Sequence, residues 1–226
     1  MTDFDRYAAN YDATLSEALA VSGEGKEYFA RGRITYLKEC LDRLSAPVTS
    51  VLDFGCGIGS GTRLLAEILN TVNVLGVDVS ARSIEQARQA NPDLRFMTLA
   101  EYVPACEFDL AFCNGVFHHI PPTERLSAVA VVLRSLRPGG RFAFWENNPW
   151  NPGTRYVMAR LEFDRDAVTL TAPDARRLLR DGRFNIVQTD FLFVFPRLLR
   201  FLRRYESRLS RWPLGAQYQV LCEKPR

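Results

Sequence analysis

The stretch VTSVLDFGCGIGSGTRLLAEILN, residues 48–70, constrains the fold more than any other part of this chain. Its first half is an apolar run closed by glycines, the pattern of a strand buried on both faces. Its second half places Leu64, Leu65, Ile68 and Leu69 at helical spacing. A strand buried on both faces needs helices above and below it, so the unit predicts a helix-covered parallel sheet. The rhythm then repeats. VNVLGVDVS reads as a second strand, and Ser80 is an N-cap for the helix ARSIEQARQAN. LRFMTLA and FDLAFCNGVF read as the third and fourth strands, PPTERLSAVAVVLRSL as a helix, and RFAFWE as the fifth strand after the RPGG turn. Right-handed crossovers would wind these units into one α/β sheet.

After Glu146 the alternation breaks. Residues 147–173, rich in Asn and Pro, read as an insertion beyond the fifth strand. A helix (DARRLLRDG), a strand (FNIVQTDFLFVFP), an Arg-rich helix and a last strand (QYQVLCEKP) complete the pattern. Residues 1–46 read as a helical N-terminal cover, so 1–226 is expected to form a single domain. The length suits one domain with a sizeable core.

Composition excludes several classes. The net charge of +3 does not announce a nucleic-acid binder. The five cysteines, Cys40, Cys56, Cys106, Cys113 and Cys222, are widely spaced and odd in number. That argues against a disulfide framework or a zinc knuckle and for reduced thiols in the cytoplasm. The polar, acidic N-terminus lacks a signal-peptide pattern, and no apolar run is long enough to span a bilayer. Leu198, Leu202, Tyr205, Leu209 and Trp212 recur every three or four residues among arginines. They read as a core-facing stripe with a solvated basic face. Contact of 197–212 with an anionic membrane surface is the alternative.

The loop DFGCGIGSG lies where ligands bind in open α/β sheets, beyond the carboxyl end of a strand and at the start of a helix. Asp78 ends the second strand, where a carboxylate can accept hydrogen bonds from ribose hydroxyls. Together these features predict a nucleoside ligand. The dinucleotide fingerprint G-x-G-x-x-G fails in every register: the third position is Ser60, Thr62 or Leu64. Asp53, two residues before the first glycine, would repel a pyrophosphate but suits a ligand carrying an ammonium group.

The motif VLDFGCGIGSGT resembles the first motif of the class I S-adenosylmethionine-dependent methyltransferases, and VLGVDVSARSIEQAR resembles their second. FDLAFCNGVFHHI and LRPGGRFAFWE are similar to the strand-4 and strand-5 regions of the small-molecule branch that includes ubiquinone/menaquinone-type methylases. The resemblance implies a Rossmann-like, doubly wound, mostly parallel seven-stranded sheet with an antiparallel last strand. It implies S-adenosylmethionine as cofactor, bound by Asp53, Gly55, Cys56, Gly57 and Gly59 at the methionine part. Asp78 takes the ribose, Val79 flanks the adenine, and Asn114 lies near the sulfonium. Tyr11, in FDRYAANYD, resembles the segment that closes over the cofactor. Leu99 stands where the family commonly has an adenine-binding aspartate, leaving the Ala100 backbone and Glu101 as substitutes. The implied activity is methyl transfer to a small molecule or small glycoconjugate at O or N. The alternatives are a non-catalytic S-adenosylmethionine-binding protein and a nicotinamide-dependent oxidoreductase. A nucleic-acid acceptor is disfavoured, because the position of a base-flipping motif reads Asn114-Gly115-Val116-Phe117.

The acceptor should lie beyond strands 4 and 5. There GVFHHIPPTE holds both histidines of the chain. His119 or His118 has the ordinary pKa of a base near neutrality, with Glu146 as orienting group; a purely structural pair is the alternative. No metal is expected, because adjacent side chains tend to diverge and no third ligand stands at a suitable spacing. Asn148, Trp150 and Arg155 of the insertion are the expected acceptor contacts.

Overall fold

The computed structural model describes residues 18–226. Tyr11 lies outside them. β1 (Ser50–Phe54) is buried along its whole length and pairs in parallel on both sides. Its neighbours are β2 (Asn73–Asp78) and β4 (Phe108–Asn114); β3 (Arg95–Thr98) extends the sheet beyond β2. β5 (Leu136–Asn147) continues in parallel from β4. β7 (Gln217–Glu223) then runs antiparallel between β5 and β6 (Asn185–Leu192). The order β3-β2-β1-β4-β5-β7-β6 puts the reversal of direction between β1 and β4. That is the place where an open α/β sheet leaves a crevice for ligands.

Period-two alternation assigns each strand residue to a layer. Leu52 and Phe54, Phe142 and Phe144, and Tyr218 and Val220 face α4 (Arg125–Ser135) and α6 (Ala172–Asp181). Val51, Ala143, Trp145 and Leu221 face α1 (Lys26–Arg43) and α2 (Ser60–Leu69). α3 (Ala81–Ala90) closes a smaller cluster with Ile84, Ala87 and Phe96. The same alternation sends Asp53 to the α2 side and Glu146 to the α4 side, so two buried carboxylates terminate strands on opposite layers.

The caps follow the residues. Ser80 Oγ accepts from Ser83 N at 3.1 Å, as its position before the helix predicts. Thr171 caps α6, and Pro173 stands in its first turn. The insertion holds α5 (Pro152–Met158), capped by Asn151 and opened by Pro152, and a 3-10 turn over Glu162–Asp164. It is sewn to the segment after β4: Val168 N donates to His118 O at 2.8 Å, and the Arg125 guanidinium donates to Ile120 O and Val168 O.

The Arg-rich segment departs from expectation. Arg197–Tyr205 is a 3-10 run kinked at Leu199, followed by the single turn α7 (Glu206–Leu209). Its apolar side chains do not form a core-facing stripe: Leu198 is 87% and Phe201 64% exposed, and Trp212 is exposed as well. A kinked 3-10 run cannot hold residues three and four apart on one face. No helix among the described residues is long and apolar enough to cross a membrane.

Phe142 is fully buried between Phe144 and Phe184, with ring centroids 5.9 and 5.5 Å away. Truncation to alanine removes that packing and leaves a cavity, so Phe142→Ala is expected to lower unfolding free energy by about 3–5 kcal/mol in denaturant melts.

Candidate functional site

The loop between β1 and α2 turns on three glycines with left-handed backbone: φ is +78° at Gly55, +53° at Gly57 and +82° at Gly59. A Cβ at Gly55 would stand 2.2 Å from Val116 Cγ2, and one at Gly59 would stand 2.9 Å from Phe96. At Gly57 a Cβ would meet nothing within 4 Å, so this residue opens onto free space. Gly55 N and Cys56 N donate to Val77 O, holding the loop against the end of β2.

That free space belongs to a cavity of about 1090 Å³ at the β1/β4 switch point. Its floor includes Asp53, Gly55, Cys56, Gly57, Asp78 and Val79, and its far wall Asn114, Val116 and His119. Asp78 uses both carboxylate oxygens on backbone: Oδ2 accepts from Gly57 N and Oδ1 from Ser80 N, each at 2.9 Å. Asp53 is buried, with Thr62 Oγ1 donating to it at 2.7 Å. Burial pushes its carboxyl up to about 7, only partly offset by the Thr62 bond, and Asp78 adds like-charge repulsion. A ligand cation beside Asp53 would favour its charged form. Asn114 Oδ1 is also buried in this wall and has no hydrogen-bond partner among the described residues.

α1 forms the other side of the mouth through Lys26, Glu27, Ala30 and Arg31. Arg31 pairs with Glu27 at 2.7 Å on its own helix and reaches Glu67 of α2 at 3.8 Å. Sequence reading missed this wall, because Lys26, Glu27 and Arg31 have the look of an ordinary solvated helix face. Only the apolar positions of α1 carried a signal, and they report that it packs, not over what.

Beyond β4 the backbone turns through a 3-10 segment, Phe117–His119. Glu146, at the end of β5 and 1% exposed, holds it: Oε1 accepts from Phe117 N at 2.8 Å and His118 N at 3.3 Å, and Oε2 contacts His118 Nδ1 at 2.6 Å. Burial alone would raise Glu146, but the His118 charge and the backbone donors outweigh it and keep its carboxyl below the usual value. Burial alone would lower His118, yet Glu146 and Asp164 overcome it and raise the ring to about 10. His118 is therefore an imidazolium at neutral pH and has no lone pair for a base. Burial and the His118 charge push His119 down to about 4, so it stays neutral. The side chains do not diverge as expected. Their ring centroids are 4.0 Å apart, and both Nε2 atoms turn toward Asp164 Oδ1, each at 3.4 Å. Asp164, from the insertion, supplies the third group that no sequence spacing marked.

Other expected contacts fall elsewhere. Glu101 turns back to accept from Thr98 N at 3.1 Å, with Arg88 4.0 Å away; Ala100 is exposed, and Leu99 lines the cavity instead. Asn148 is fully buried: its amide donates to Pro213 O at 3.1 Å and Gly215 O at 2.8 Å, and its Oδ1 accepts from Trp150 N. It ties the exit of β5 to the entry of β7 and is not presented to a ligand. Trp150 is half-exposed and outside the cavity. Arg155 lines a second cavity of about 450 Å³, whose wall includes Asp164.

The sheet order, the glycine turn and the acid ending β2 together define the class I methyltransferase fold. A TehB-like SAM-dependent methyltransferase from Corynebacterium glutamicum superposes with a TM-score of 0.64 at 19% identity, over 98% of this chain and 99% of that one. Residues 51–140 match the family described as a methyltransferase domain. Trans-aconitate 2-methyltransferase from Azoarcus sp. is 37% identical over 118 residues, 51% of this chain and 46% of that protein. The Escherichia coli protein of that name is 30% identical over 121 residues, 53% of this chain and 47% of the relative. The chain thus spans about half the length of these curated relatives. Residues 51–140 are thus similar in sequence to a methyltransferase domain, and the fold of the described residues is that of the solved S-adenosylmethionine-dependent methyltransferase.

Removing the Asn148 amide leaves the buried Gly215 carbonyl, and the Pro213 carbonyl beside it, without their donor. Asn148→Ala is expected to cost about 1–3 kcal/mol of stability with cofactor affinity unchanged, checked by thermal melts beside calorimetric titration of S-adenosylhomocysteine.

Proposed function

We propose that this protein transfers a methyl group from S-adenosylmethionine to a small-molecule acceptor. The observation that carries the reading is the Gly55–Gly59 cradle with Asp53 and Asp78 at its two ends, inside the cavity at the sheet's switch point. The residues fit the cofactor. Gly57 leaves open space for it, Asp53 is a buried carboxylate suited to an ammonium, and Asn114 Oδ1 is a buried acceptor in need of a donor. When bound, S-adenosylmethionine supplies the methyl group on a positively charged sulfur. Asp78 would hold the ribose hydroxyls while Gly57 N and Ser80 N keep its carboxylate in place. Val79 would border the adenine.

The protein's share of the catalysis is then exclusion of water and alignment of the acceptor, an effect worth up to roughly 7–11 kcal/mol in well-oriented reactions. His119 stands in the cavity wall on the acceptor side, with His118 and Glu146 as its positioning residues. The insertion 147–173 supplies that side of the site, with Arg155 on the adjoining cavity as the acceptor contact that remains. The relatives' names specify trans-aconitate, a small carboxylic acid. Because the alignments cover only about half of this chain and less than half of the relatives, what carries over is the acceptor's class, a small molecule, rather than that particular acid.

Three outcomes are expected. S-adenosylhomocysteine raises the melting temperature whereas NAD does not, and Asp78→Ala weakens S-adenosylhomocysteine binding at least tenfold by calorimetry, each ribose bond to a carboxylate contributing about 1.5–3 kcal/mol. Binding that survives Asp78→Ala unchanged would remove the ribose from this position. His119→Gln is expected to lower turnover while leaving cofactor affinity near wild type; equal losses in both would place His119 on the cofactor instead.

A further inference from the structure

The histidine pair and Asp164 form an arrangement that methyl transfer does not require. His118 Nε2 and His119 Nε2 each lie 3.4 Å from Asp164 Oδ1, and the three atoms fall within 4.8 Å of one another. The Asp164 side chain is 2% exposed, and its Oδ1 is buried without a hydrogen-bond partner among the described residues. An unsatisfied buried carboxylate oxygen is costly, and this one is aimed at the edges of two imidazoles.

The spacing has a geometric meaning. Ligands about 2.0–2.1 Å from a tetrahedral zinc ion stand about 3.3–3.4 Å apart along the tetrahedron's edges. An octahedral ion with bonds of that length would draw neighbouring ligands to about 2.9 Å. The observed distances match the first figure. The donor chemistry agrees, since imidazole nitrogen with one carboxylate oxygen suits a borderline divalent ion.

A second shell is also in place. His118 faces Glu146 through Nδ1 at 2.6 Å while its Nε2 faces Asp164. A carboxylate on the far nitrogen of a ligating histidine is the usual device that fixes the ring and strengthens it as a ligand. Glu146 in turn is anchored by the N–H groups of Phe117 and His118. The third group arrives from the 3-10 turn Glu162–Asp164, well downstream of the histidines, held in register by the Val168 N to His118 O bond.

We propose that His118 Nε2, His119 Nε2 and Asp164 Oδ1 form a binding site for a divalent transition-metal ion of the zinc type, the ion displacing the Nε2 proton of His118 to solvent, with Glu146 orienting His118. Three protein ligands leave one tetrahedral position for water or another oxygen donor. Such an ion would fasten the insertion to the end of β4 at the acceptor side of the site. The inference goes beyond methyl transfer and does not depend on it.

The test uses the full chain, stripped with chelator and titrated with zinc chloride, with metal content measured after gel filtration. One equivalent is expected to be retained. Asp164→Asn and His119→Gln, both close in size to the native residues, should each weaken zinc binding by roughly 100-fold or more. Glu146→Gln should weaken it by roughly 10–100-fold. Circular dichroism of each variant separates loss of a ligand from loss of the fold. Cobalt(II) in place of zinc should give the visible absorption of a tetrahedral N/O site. Retention of no zinc by the wild-type chain would overturn the proposal, as would equal zinc affinity in folded Asp164→Asn. A sulfur-to-cobalt charge-transfer band, placing the ion on a cysteine, would overturn it too.

Discussion

A carboxylate cannot sit at 1% exposure without partners, and the way Glu146 meets that demand organises the histidine-turn wall of the cavity. Its position follows from strand register. Phe142 and Phe144 face α4, so Glu146 must point into the same layer, where the segment leaving β4 passes over it. By accepting from two consecutive backbone N–H groups and from the His118 ring, it converts that segment from a loose connection into a fixed wall. Val116 is set over Gly55, and His119 is set into the cavity. The glycine turn and the histidine turn are thus fitted to each other across the switch point, one from β1 and one from β4.

Much of this was legible before any coordinates. The apolar run VTSVLDFG, the acid ending VLGVD and the repeated strand–helix rhythm carry their information locally. Hydrophobic periodicity therefore places β1, β2, β4 and the helices between them, and Ser80 caps where a serine before a helix should. The glycine-turn side of the site is readable for the same reason, since Asp53, Gly55, Gly57 and Asp78 lie in two short motifs. What escaped depended on long-range placement. Asp164 looks like one acid among several in an irregular stretch, and nothing near it in the chain announces two histidines. Asn148 looks like a polar group ready for a ligand, whereas Pro213 and Gly215, which claim its amide, come from the segment entering β7, 65 and 67 residues further along the chain. Helical spacing in Arg197–Trp212 suggested a buried stripe that a kink at Leu199 removes.

The two sides of the site therefore differ in how they are built. The glycine-turn side uses backbone: positive-φ glycines, N–H donors and a carboxylate held by N–H groups. Its geometry is fixed by the turn itself, and few side chains are needed. The histidine-turn side uses side chains from segments far apart in the chain, the β4 turn, the end of β5 and the insertion, held together by buried charge. The family match, residues 51–140, contains the first and stops short of Glu146 and Asp164.

At the mouth, α1 and α2 meet through Arg31 and Glu67, 3.8 Å apart and each half-exposed. An exposed pair of this kind contributes at most about 1 kcal/mol, and salt screens it. It therefore behaves as a latch that thermal motion undoes many times over, while the sheet beneath, stitched by β1 to both neighbours, stays shut. Its opening costs the fold little, because α1 and α2 stay joined beneath it through Ile34, Leu37, Leu64 and Leu65 in one buried cluster.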